Sequence, residues 1–176
     1  MATVMVVLLQ RNTFHDPQDA DGGLAGVTVT LAAVGVAVPL AAVVTPPMVR
    51  RLGTGRWMRL LLVAAGVGLP VLALPADPGA LAAAGFLLGL VGQGVKIAVD
   101  TTLQSTLDDQ HRGRVFALYD VVFNVCFVAA AGLAAVTLPT SGRSAAVVLA
   151  LGAGYLAAAA WHRRFLSRGV SGPSPP

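Results

Sequence analysis

Charge is what this chain of 176 residues has least of. Charged residues make up 11% of it and hydrophobic residues 56%, where a water-soluble domain carries about 25% charge. That is too little charge to coat a soluble surface, so most of the surface is expected to face lipid. Cys126 is the single cysteine, which excludes an internal disulfide and a cysteine-based metal site. It reads as a small apolar filler within a helix. Apolar/polar alternation is also missing, which excludes a membrane barrel. The pI is near 10.2, but the net charge behind it is only +4. The basic residues stand in short clusters between apolar runs rather than in a nucleic-acid-binding patch, so no nucleic-acid partner is expected. Catalytic patterns are absent as well: no Ser-His-Asp order, no His-Glu-x-x-His, no phosphate loop and no dinucleotide fingerprint. The glycine-rich "DGGLAG" has no strand before it and no phosphate-binding lysine. His111 has no neighbouring ligands of the kind a metal site needs. No enzyme activity, cofactor or metal is expected.

Long apolar runs dominate what is present, and the mean hydropathy is +0.76. A helix needs about 20 mostly apolar residues to cross the hydrocarbon core. Five segments meet or approach that length: 22–49, 60–76, 78–104, 115–139 and 144–161. Backbone groups in lipid must be paired within the segment, so each run is expected to be helical. The fold class is therefore all-α, a polytopic membrane protein with five full transmembrane helices. The run 1–10, "MATVMVVLLQ", has no basic residue ahead of it and does not read as a signal peptide. It is too short to cross and reads as the last part of a helix whose beginning is missing. Pro39 and Pro70 lie inside spans and predict kinks or local breaks. The membrane domain is expected over 1–165, followed by a disordered cytoplasmic tail over 166–176.

Loop charge sets the expected orientation. Segment 11–21 is acidic, "RRLGTGRWMR" at 50–59 has four arginines and no acid, and the loop at 105–114 and the tail are basic. Nine basic residues collect on one side and two on the other. Basic loops stay in the cytoplasm, so the C-terminus is expected there, with the chain a multi-pass protein of the plasma membrane. Trp57 and Trp161 fall at inner helix ends, where aromatic belts sit.

Charge inside a span is the exception, and the third span contains "GQGVKIAVD". At about 100° per residue, Gly85, Gly89, Gly92, Lys96 and Asp100 share one side of a helix, with Gln93 and Gln104 at its edge. Small residues spaced this way let another helix approach closely, and the stripe then turns polar. Reflecting the 105–114 hairpin about its midpoint matches Asp100 in depth with Asp120 and Lys96 with Asn124. Lys96 and Asp100 form an i, i+4 pair that can neutralise itself. The group either holds helices together or lines a cavity that meets substrate or protons.

Two stretches, "TPPMVRRLGTGRW" and "GQGVKIAVDTTLQSTLDDQHRGRVFALYD", resemble the C-terminal half of major facilitator superfamily transporters, in particular the macrolide- and siderophore-exporter-like efflux branch. Arg51, Gly53 and Arg56 match part of that family's basic loop motif between helices eight and nine, although Arg50 stands where the motif has aspartate. Arg112, Gly113 and Arg114 resemble the loop between helices ten and eleven. The resemblance implies half of a 12-helix fold, with 1–10 ending helix seven and the five spans forming helices eight to twelve. It also implies a proton-coupled exporter of small molecules working by alternating access, with Gln93, Lys96, Asp100, Asp120 and Asn124 as candidate cavity, gate or coupling residues. The expected partners are the lipid bilayer, a small-molecule substrate, and an N-terminal six-helix half or a self-associated copy. The competing expectation is a truncated half-transporter that only packs against a membrane partner through Gly85, Gly89 and Gly92.

Overall fold

The computed structural model describes residues 20–75, 77–106, 109–137 and 144–169. The expected partial helix over 1–10, nearly all of the acidic loop and the tail beyond 169 lie outside the described residues. Among the described residues there are five helices and no strand: α1 (Ala20–Leu52), α2 (Thr54–Ala73), α3 (Pro78–Thr106), α4 (Asp109–Thr137) and α5 (Ala145–Gly169). Each contains a segment long and apolar enough to cross a membrane. The fold is all-α, as the apolar runs require.

Helix boundaries differ from the sequence expectation where the charge lies. The stretch 50–59 reads as a loop, yet α1 runs to Leu52 and α2 begins at Thr54, leaving Gly53 alone between them. Arginine is a good helix former, so a basic cluster at the membrane surface need not unwind the chain. Gly53 makes the turn with φ 81° and ψ 149°, a region close to glycine-only. Its N–H donates to the Val49 carbonyl at 2.8 Å, and its own carbonyl accepts from the Trp57 N–H at 3.1 Å. A methyl group there would meet nothing within 4 Å, so any penalty for Gly53→Ala comes from the backbone alone. That substitution is expected to cost about 1–3 kcal/mol, read as a lower unfolding midpoint in detergent. An unchanged midpoint would mean that the turn can relax into another conformation.

The starts of α3 and α5 follow ordinary capping chemistry. Asp77 Oδ2 accepts from the Ala80 N–H at 3.1 Å, with Pro78 as the first helical residue, where its missing N–H costs nothing. Ser144 Oγ accepts from the Val147 N–H at 3.3 Å. α1 continues through Pro39, Pro46 and Pro47, and α2 through Pro70, so none of these prolines interrupts its helix.

α3 is the hub. α1 packs chiefly on α3, α2 packs on both α3 and α5, and α4 touches α3 only lightly. One core cluster joins Leu69 and Ala73 of α2, Leu81 and Ala84 of α3 and Val148 of α5. A second joins Leu61 and Ala65 to Val91. Alanine and glycine occupy many of the buried positions, as expected where helices in lipid gain by close backbone approach. α2 and α5 approach each other closely at a pair of glycines. A Cβ on Gly152 would lie 2.6 Å from Pro70 Cγ and 2.8 Å from the Gly66 carbonyl oxygen. Pro70 has no N–H to give that carbonyl, so the usual intrahelical donor is missing there.

Candidate functional site

The polar residues of α3 and α4 meet where these two helices touch. Lys96 Nζ lies 3.9 Å from Asp100 Oδ2 on its own helix and 3.6 Å from Asp120 Oδ1 on α4. Both separations exceed the roughly 2.7–2.9 Å of a charge-assisted hydrogen bond. The ammonium is therefore shared between two carboxylates rather than locked to one. It also lies 5.3 Å from the Tyr119 ring centroid and 5.2 Å from that of Phe123, within cation–π range. The two rings are 6.3 Å apart and tilted. Formally, two carboxylates face one ammonium, which leaves one negative charge over.

The structure brings together Lys96, Asp100 and Asp120, and contact does not follow equal depth. Lys96 reaches Asp120 rather than Asn124. Asn124 instead donates its Nδ2 to the Asp120 backbone carbonyl at 2.7 Å, one turn back on α4. The reason is reach: a lysine side chain extends far from its own level, so mirroring backbone depths across a hairpin misplaces its head group. Gln93 is half-buried and exposed Gln104 lies towards the end of α3. Tyr119 and Phe123 were not singled out from the sequence. Their signal was available, because the two aromatics form an i, i+4 pair on the helix that carries Asp120.

The glycine stripe divides. Gly85 lies against Thr30 and Val34 of α1, and Gly89 against Val34 and Ala37; a Cβ at either position would come within 3.0 Å of a side-chain carbon. Gly92 is exposed, with nothing within 4 Å. Gly94, not part of the stripe, is buried against Leu61 and Thr45. α1 therefore occupies the upper stripe within the same chain. Arg51 and Arg56 are exposed on either side of Gly53. Gly113 and Arg114 are exposed in the first turns of α4, and Arg112 belongs to the same helix. Cys126 is also exposed on α4, because none of that helix's span is buried.

Comparison with known proteins bears on a helical bundle built this way. Two uncharacterized MFS-type transporters, one from Mycobacterium bovis and one from Mycobacterium tuberculosis, are each 35% identical to it over 160 residues. The chain is similar to MFS-type transporters. The match covers 91% of this chain and 35% of each transporter, so the chain spans about a third of the length of these relatives. With five helices able to cross a membrane, this similarity identifies a multi-pass membrane protein. No family model matches the chain, and no solved structure matches it.

Proposed function

We propose that this chain forms the C-terminal bundle of an MFS-type secondary transporter of the efflux branch. In this reading it lies in the plasma membrane with its C-terminus in the cytoplasm. The transporter exports small molecules in exchange for protons, by alternating access between two halves. The observation that carries the reading is the shared lysine: Lys96 of α3 is held between Asp100 on its own helix and Asp120 of α4. Charges placed within membrane spans are costly and tend to mark pathways for substrates or protons. The formal excess of one carboxylate leaves room for one more positive charge. The helix that carries Asp120 is the least covered of the five, with no buried residue on its span, and its open faces suit contact with a second bundle. Gln93 and Asn124 lie one turn from Lys96 and Asp120 and extend the polar lining.

The test is accumulation of lipophilic small molecules in cells making the transporter that contains this chain. Expression is expected to lower accumulation, and collapsing the pH gradient to abolish the difference. Asp120→Asn, with protein amount unchanged, is expected to cut export about tenfold or more, the rate equivalent of losing roughly 1.4 kcal/mol. Export that ignores the pH gradient would remove proton coupling. Export untouched by Asp120→Asn would remove this site from the mechanism.

A further inference from the structure

A second basic feature lies away from the α3–α4 cluster. Between α2 and α5 runs a groove of about 640 Å³ lined by Arg59, Arg163 and Arg164 at one end and by Val63, Leu156 and Ala159 beyond them. Its geometry follows from the glycine crossing. Gly66 faces Leu156 and Gly152 faces Pro70, which sets an antiparallel register for the two helices. Carried about two turns, or roughly 10 Å along the helix, that register places Arg59 opposite Arg163. The Arg59 and Arg163 guanidinium groups thus share the end of both spans, while Val63 and Leu156, each 40% exposed, continue the groove into the apolar part.

Arg59 and Arg163 repel each other, and the repulsion is least screened beside a low-dielectric layer. An anion at this point relieves the repulsion, and arginine is suited to grip phosphate with two parallel hydrogen bonds. The apolar floor adds a second requirement. A soluble anion uses only the arginines, whereas a phospholipid uses both ends: phosphate on the guanidinium groups and acyl chain along Val63, Leu156 and Ala159. Basic pockets between transmembrane helices bind anionic head groups in this manner.

We propose that the α2–α5 groove is a binding site for one anionic phospholipid, its head group held by Arg59 and Arg163 and its acyl chain lying over Val63 and Leu156. The site does not depend on transport. It asks only that the helices stand in a bilayer.

Ala160→Trp provides the test, because Ala160 is exposed on α5 and lines the groove beside the arginines. The two native tryptophans are Trp57 and Trp161, and Trp161 stands on another face of α5, beside Ala158 and His162. Adding Trp57→Phe and Trp161→Phe leaves residue 160 as the sole emitter in the full chain, reconstituted in phosphatidylcholine vesicles. Brominated phosphatidylglycerol, added as a minor fraction, is expected to quench it severalfold more than the same fraction of brominated phosphatidylcholine. Adding Arg59→Gln and Arg163→Gln should bring the two lipids level. Equal quenching before any arginine is changed would overturn the proposal, and that reading requires no arginine variant to fold. A preference that survives the double substitution would also overturn it. If inorganic phosphate abolishes the preference, the groove binds a soluble anion and the lipid assignment fails.

Discussion

Gly152→Ala is expected to destabilise the bundle by about 1–3 kcal/mol, the usual cost of overpacking a tight core. The neighbours explain why this glycine is more sensitive than most. Its Cβ would meet a proline ring carbon at 2.6 Å and a backbone carbonyl oxygen at 2.8 Å. Neither can rotate aside, so α2 and α5 must separate. Gly68 is the control. Its Cβ would meet Leu87 Cδ2 at 2.5 Å, which is nominally closer, but that atom is the far end of a flexible side chain. Alanine also has better helix propensity than glycine, by up to about 1 kcal/mol, so Gly68→Ala is expected to be near neutral. Denaturant unfolding of both variants in detergent decides the matter. Equal losses would show that the α2–α5 crossing has slack the structure does not show. A larger residue, as in Gly152→Leu, is expected to prevent the two helices from packing at all.

Lys96→Met should be the second large effect. The methionine keeps the length and apolar stem but leaves Asp100 and Asp120 facing each other without their shared cation. Breaking a wholly buried pair costs about 3–5 kcal/mol. Less is expected here, because the Lys96 side chain is 33% exposed and that of Asp120 61%. The informative measurement is a double-mutant cycle with Asp120→Asn. If the residues interact as the structure shows, the double variant regains part of the lost stability, with a coupling within the roughly 0.5–3 kcal/mol found for contacting pairs. Simple additivity would mean that the 3.6 Å approach contributes nothing. The same variants separate the two roles open to this cluster. Loss of export with normal folded yield in Lys96→Met and Asp120→Asn points to a pathway, and loss of folded protein points to a structural clamp.

Much of this was legible without coordinates, and the limit has a physical form. Within one helix, 3.6 residues per turn fixes which side chains share a face. The Lys96–Asp100 pair and the apolar spans could therefore be read directly, and lipid forces those spans to be helical because their backbone groups have no other partner. What lies between helices follows no such period. It depends on crossing angle, side-chain reach and which small residue happens to sit at the crossing. Gly85 and Gly89 lie against α1 while Gly92 stands open, although all three share a stripe. Gly66 and Gly152, far apart in the chain, set the close α2–α5 crossing. Lys96 reaches past its own depth to Asp120. Arg59 and Arg163 belong to separate basic clusters in the sequence, and only the packing of α2 on α5 turns them into one groove. The sequence by itself determined an all-helical membrane chain and where its spans run, because lipid and helix geometry act locally. Only the tertiary structure decided which residues meet across helices, because that depends on how the formed helices cross.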